Sequence, residues 1–183
     1  FAGLSVLELV EEGRLSLDAK VRDLVPELSF DNPWEATDPV RVVHLLEHTT
    51  GWDDIPMKMF AHSDPTPATL AAGLALAVEA RTCRWRPGTR SSYSNIGPSM
   101  AAAIVEKTTA QRVEDFVKSR FFTPLGMDTA DYFLSERARP LLTTLYRKGD
   151  RRPLPYHHIA LRPSGGLNAS ARDMAALLRF FLR

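Results

Sequence analysis

Pro87-Gly88-Thr89-Arg90-Ser91-Ser92-Tyr93-Ser94-Asn95 is the stretch around which the rest of the chain is arranged. Pro87-Gly88 marks a tight turn, because proline presets φ and glycine accepts backbone angles that other residues resist. The hydroxyl-rich run behind it is too short and too polar for a core element. It closes at Gly97-Pro98, after which Met100, Ala101, Ile104 and Val105 recur at helical spacing. A tyrosine and an asparagine two residues apart, on a loop just ahead of a helix, can point the same way. The expectation is a phenol and a carboxamide on one wall of a cleft.

Outward from this loop, helices dominate. Residues 1–12 set Phe1, Leu4, Leu7 and Val10, flanked by Val6 and Leu9, on a wide apolar face that Gly13 ends. A short helix follows from Ala19 to Leu24, stopped by Pro26, and 30–38 reads as a loop carrying Trp34. Val40 to His48 is again helical, with Val43, Leu45 and Leu46 facing inward. No period governs 52–64, which reads as surface loop. Thr66-Pro67 is a helix start leading to about Ala80. Downstream, Val113, Phe116 and Val117 face a core, and 122–127 is a turn rich in apolar side chains. Leu141–Tyr146 and Leu154–His158 flank Gly149-Asp150 as a hairpin of short strands. Ser170-Ala171-Arg172-Asp173 is a capping box, opening a helix whose stripe is Met174, Leu177, Leu178 and Phe181.

With 183 residues, 44% of them hydrophobic, the chain can build one domain with a real core. Its 23 basic and 22 acidic residues are evenly mixed and leave a net charge of +1, which offers nucleic acid no basic surface. The single cysteine, Cys83, excludes an internal disulfide and a cysteine-rich metal site, and reads as a buried thiol. No apolar run reaches the ~20 residues of a membrane span. Phe1 in place of methionine, and a helical pattern running to Arg183, suggest one domain over 1–183 that is cut at both ends.

Several stretches, taken together, resemble the serine β-lactamase and penicillin-binding-protein superfamily. The likeness is to its branch of class C β-lactamases, DD-peptidases and esterases. They are 9–18 (LVEEGRLSLD), 44–51 (HLLEHTTG), Pro87-Gly88-Thr89 with Tyr93-Ser94-Asn95, then 122–127, and Gly165-Gly166-Leu167 with 170–173. They stand in the family's order along nearly the whole chain. The resemblance implies a two-part architecture, of which this chain is mainly α with a short β-hairpin: the helical lobe, its central antiparallel sheet largely missing. An exposed apolar surface is expected where the sheet is absent.

The resemblance also implies a chemistry. The family carries a Ser-x-x-Lys pair for the nucleophile and its base, a Tyr-x-Asn motif, and a Lys-Thr-Gly-like strand. A serine hydroxyl attacks an acyl carbon only when a neighbouring group takes its proton. A free phenol, with a pKa near ~10, is a poor base at neutral pH, and a nearby lysine cation lets it relay a proton. Tyr93 is then the general acid/base partner and Asn95 the residue that positions substrate. Substrates would be β-lactams, D-amino-acid peptides or small esters, with no cofactor and no metal. The sequence contains no Ser-x-x-Lys, and Lys107-Thr108-Thr109 lacks the glycine of the third motif. The nucleophile would lie ahead of Phe1, and the polypeptide by itself would be inactive. Family members are commonly exported, which implies an extracytoplasmic home.

Other readings stay open at this level. A degenerate site would make the chain a non-catalytic binding module. His44-Leu45-Leu46-Glu47-His48 matches an inverted zinc-peptidase signature, with His44 and His48 on one helix face. Arg81, Arg84, Arg86 and Arg90 could form a carboxylate-binding cluster. His157-His158 could contact substrate, Trp34 and Trp52-Asp53-Asp54 could line the rim or anchor their loops, and Gly165-Gly166 reads as a tight turn.

Overall fold

The longest helix, α6 (Ile96–Thr109), is apolar on almost every side, and helices of that kind end up surrounded. Ile96, Met100, Ala101, Ala102, Ile104 and Val105 are all sealed from solvent. The elements most closely packed on it are α1 (Ala2–Glu11), α3 (Val42–Leu46), α5 (Leu70–Ala75) and α9 (Arg162–Gly165). The computed structural model describes residues 1–64 and 66–182. Burying each large side chain of this core contributes roughly 1.5–3 kcal/mol, so α6 and its neighbours hold the fold together.

Small residues set the spacing. A Cβ at Gly97 would stand 2.7 Å from the Leu45 carbonyl oxygen, so only glycine lets α6 meet α3 at this distance. Gly73 does the same for α5, where a Cβ would come 2.5 Å from the Ala160 carbonyl. Just past α1, Arg14 donates to the Thr108 carbonyl at 2.9 Å, in the last turn of α6. Since α1 packs along α6, the two helices run the same way and start at the same end of the molecule.

Within α1 the sequence pattern needs one adjustment. Val6 and Leu9 are fully buried, Phe1, Leu4 and Val10 are partly covered, and Leu7 is 45% exposed. The second helix, α2, is only Val21–Leu24. In α3, Val42 and Leu45 are sealed while Leu46 packs at the margin. Segment 52–64, expected to be surface loop, is anchored instead: Trp52 is completely buried against Phe30, with ring centroids 5.4 Å apart, and Ile55 is buried beside the same core. It continues as α4 (Met57–Phe60) and strand β1 (Ala61–His62). Trp34 also packs on the core rather than lining a rim. Helix α5 starts later than Thr66-Pro67 suggests, because Thr69 is the residue whose hydroxyl accepts the Ala72 N–H. Cys83 is buried, and burial pushes its thiol up to about 12.

Beyond α6, α7 (Val113–Val117) runs through a π-helical turn at Lys118–Phe122 into α8 (Thr123–Leu125). Glu114 of α7 and Arg162 of α9 form a buried ion pair at 2.7 Å, and Arg162 also donates to the Ala68 carbonyl. The expected hairpin is displaced. Around Gly149 only a single bridge forms, Tyr146 with Pro153. The antiparallel ladder pairs β1 with β2 (His158–Ile159), placing His62 opposite His158. Ladder pairing went to the segment that could reach a fixed core element, Phe60, whose carbonyl accepts the Ala160 N–H. At Gly165, a Cβ would press 3.1 Å from the Phe60 ring, so the glycine serves close approach there.

The last helix, α10 (Ala171–Phe181), starts at the capping box as the sequence indicates: Ser170 and Asp173 exchange bonds, and Thr129 donates to Asp173 as well. Of its apolar stripe only Leu177 packs against the core. Ala176 is covered, yet Met174, Leu178 and Phe181 are 40–60% exposed. The chain is thus mainly helical with a two-stranded ladder, the helical lobe expected from the sequence.

Candidate active site at the Tyr93–Asn95 turn

Two loops are laced together to build this site. The first leaves α3 through His48, whose φ of 57° is left-handed and unusual outside glycine. The second is the turn at Gly88, φ +82°, where a Cβ would lie 3.0 Å from the His44 Nε2. Gly88 N–H donates to Thr49 O at 2.9 Å, Ser92 N–H to His48 O at 2.8 Å, and Ser94 Oγ to Asp53 O at 2.8 Å. Arg84 adds three donations, to the carbonyls of Gly51 and Trp52 and to Ser92 Oγ. These bonds hold residues 92–95 against the outgoing end of α3.

Tyr93 stands out from this frame, 62% exposed. Its ring lies on that of His48, centroids 4.5 Å apart, and its hydroxyl donates to Asn95 Oδ1 at 3.2 Å. His48 Nδ1 accepts the Ser94 N–H at 3.3 Å, so in the neutral ring the proton sits on Nε2. Asn95 is at the N-cap position of α6, where asparagine commonly bonds back to the helix. Here its side chain makes no cap bond; Ser94 Oγ takes the Ile96 N–H instead, at 3.2 Å. That frees the Asn95 amide, which donates from Nδ2 to Asp54 Oδ2 at 2.8 Å, while its backbone N–H goes to Asp54 Oδ1 at 2.7 Å. Its carbonyl accepts from Ser164 Oγ, which also bonds Ser99 Oγ at 2.7 Å.

The structure brings Tyr93 and Asn95 together, on open surface and not inside a closed cleft. Two concavities, of about 390 and 60 Å³, lie elsewhere, against Phe122, Tyr132 and Phe133 and against His62 and Tyr156; neither includes Tyr93 or Asn95. The start of α6 is also the end at which α1 begins. Asp54 is the neighbour of Asn95 that sequence reasoning placed only on a rim. Nothing in its spacing to Asn95 announces the contact, which joins residues 41 apart.

Other sequence candidates are used structurally. Arg84 laces the loops and lies 3.5 Å from Asp53, Arg86 is 3.7 Å from Asp38, and Arg81 is 2% exposed. The four arginines do not converge on one carboxylate. His44 Nδ1 accepts the Arg41 N–H at 3.2 Å, and burial lowers its pKa. The His44 and His48 rings therefore address different segments, and no group of three metal-ligating side chains occurs among the described residues. His158 stacks on His62 at 5.9 Å in the ladder. No helix among the described residues is long and apolar enough to cross a membrane.

Comparison with known proteins agrees with this architecture. The β-lactamase family model matches residues 1–183. Penicillin-binding protein 4 of Amycolatopsis lactamdurans is 29% identical over 178 residues, which are 96% of this chain and 45% of that protein. A D-aminopeptidase of Gluconobacter oxydans is 28% identical over 169 residues, 90% of this chain and 31% of that one. The octameric penicillin-binding protein homologue from Pyrococcus abyssi superposes with a TM-score of 0.79 at 28% identity, covering 99% of this chain and 42% of its own. The chain thus spans less than half the length of these relatives. It belongs to the β-lactamase family, whose members are serine hydrolases.

Proposed function

We propose that the chain is the helical part of a serine hydrolase that works through an acyl-enzyme, with Tyr93 as general acid/base and Asn95 as the substrate-positioning residue. One observation carries this reading: an exposed phenol is hydrogen-bonded to an amide that is itself released from helix capping. A residue kept out of water for packing alone would be covered, and an asparagine kept for the helix would cap it.

The nucleophile is a serine of a Ser-x-x-Lys pair supplied by the longer protein, since 1–183 contains none. Its Oγ attacks the acyl carbon and passes its proton through the Tyr93 hydroxyl. The same hydroxyl returns a proton to the departing amine, alcohol or ring nitrogen, and water then releases the acyl group by the same route. The Asn95 amide holds the substrate's own amide in register for attack. Substrates are acyl compounds of the β-lactam, D-amino-acid peptide or small-ester type, as the names of the penicillin-binding and D-aminopeptidase relatives suggest. The polypeptide 1–183 alone is inactive on this reading, and the longer protein works outside the cytoplasm.

The test uses the full-length protein with a chromogenic β-lactam and a short-chain ester, followed by intact-mass measurement. A covalent acyl adduct should form, and Tyr93→Phe should slow acylation by about 100-fold or more, the scale of a lost general acid/base. Full activity in Tyr93→Phe, or turnover with no adduct, would refute the assignment. Stable binding of the β-lactam without any acylation would identify a binding module instead.

A further inference from the structure

Asp54 faces Asn95 in a way that leaves the amide one orientation. Oδ1 and Oδ2 of the carboxylate accept, respectively, the backbone N–H at 2.7 Å and the Nδ2 of the same residue at 2.8 Å. An ionised carboxylate can only accept hydrogen bonds. The edge of the Asn95 amide turned toward it must therefore be the NH₂ group, and the edge turned toward Tyr93 must be the carbonyl oxygen. The phenol answers as donor, at 3.2 Å.

We propose that Asp54 is a positioning residue that fixes the sense of the Asn95 amide, and through it which face of the Tyr93 hydroxyl meets the reactants. This rests on the function proposed above. With Asn95 Oδ1 toward the phenol, the Tyr93 proton is directed inward and its lone pairs face the open side, ready to accept from a reacting hydroxyl. With the amide reversed, Nδ2–H would occupy a lone pair and the phenolic proton would turn outward. A carboxylate at 54 makes the first arrangement the only one without an unpaired or repelling contact. The remaining charged or titratable groups against this corner are the His48 imidazole on the Tyr93 ring and the Asp53–Arg84 pair at 3.5 Å.

Asp54→Asn is the informative change, because it keeps the shape while giving position 54 an NH₂ of its own. That group can donate to Asn95 Oδ1 and stabilise the reversed amide. In the full-length protein, Asp54→Asn should lower kcat by about tenfold to a hundredfold, the cost of a misdirected catalytic group, with KM moved less than about twofold. Asp54→Glu, which retains an acceptor-only group, should recover most of the rate. Asp53→Asn removes the same charge one residue away without touching Asn95, and should keep the wild-type kcat and KM.

Placing Asp54→Asn in a Tyr93→Phe background separates positioning from general support. If Asp54 acts through the phenol, the double variant is no slower than Tyr93→Phe alone; a merely structural role makes the two losses multiply. Multiplying losses, or a wild-type kcat in Asp54→Asn, would overturn the proposal. If the wild-type protein forms no acyl-enzyme, the functional reading fails separately, and the amide is then read by NMR. The Asn95 side-chain amide cross-peak, identified by its loss in Asn95→Ser, should move in Asp54→Asn and stay in Asp53→Asn. An unmoved cross-peak in Asp54→Asn would reject the role of Asp54 whatever the activity.

Discussion

Replacing Gly97 by alanine tests the packing that places the site. The new Cβ would stand 2.7 Å from the Leu45 carbonyl oxygen, where ordinary contact begins near 3.4 Å. Some 0.7 Å (3.4 minus 2.7) must therefore open between α6 and α3, and the obstacle is backbone that cannot rotate aside. Overpacking of this kind costs about 1–3 kcal/mol. Alanine's better helix propensity gives back up to about 1 kcal/mol. Because the obstacle is backbone the upper end of that cost applies, leaving a net loss of about 2 kcal/mol, which for a chain of this size lowers Tm by about 4–8 °C.

Gly3 supplies the comparison. It also lies in a helix, α1, but a Cβ there meets nothing within 4 Å. Gly3→Ala should collect the propensity gain alone, stabilising by up to about 1 kcal/mol. Thermal melts followed by circular dichroism, with urea titrations alongside, would measure both. The same chemical change should thus move Tm in opposite directions at two helical sites. A Gly97→Ala protein melting at or above wild type would show that α6 does not rest on Leu45 as described. Because Asn95 is two residues ahead of Gly97 and His48 three beyond Leu45, the displacement should also loosen Tyr93 from the His48 ring.

Breaking the buried Glu114–Arg162 pair from one side, by Glu114→Gln or Arg162→Met, should cost about 3–5 kcal/mol in urea unfolding, since one charge is left buried alone. Replacing both by apolar residues should cost much less. Stability should also fall in acid through Asp173. Burial alone would raise its carboxyl, but donations from Thr129 and Ser170 outweigh that and hold it below the usual carboxylate range. Its contribution is present above the unfolded value of about 3.9 and is lost as pH drops through the depressed folded value. Asp173→Asn should flatten that part of a stability-versus-pH curve; an unchanged acid limb would refute the assignment.

How much of this was legible beforehand depends on the range over which each signal acts. The helices of α6, α7 and α10, with their inward residues Met100, Ile104, Val113 and Phe116, follow from periodicity, which is local. So do the Ser170–Asp173 capping box and the turn at Gly88. In sequence Trp52 stays between rim residue and loop anchor because its segment has no period, and only the distant Phe30 explains its burial. The stripe on α10 was read correctly as apolar, but which part of it is covered was not legible: periodicity reports a face, and the partner of that face is a tertiary matter. The ladder shows the same limit, since Leu154–His158 carries strand character while the choice of Ala61–His62 as partner depends on how Phe60 is held.

By itself, then, the amino-acid order determined the helical class, the family motifs and the tyrosine–asparagine pair, because each is written in neighbouring residues. Tertiary structure alone decided that Asn95 gives up capping to Ser94, that Asp54 grips its amide, and that His48 lies on Tyr93. The Asp54–Asn95 and His48–Tyr93 contacts cross 41 and 45 positions of sequence. They exist because Gly97 lets α6 press against α3, which brings two otherwise unrelated loops within hydrogen-bonding reach.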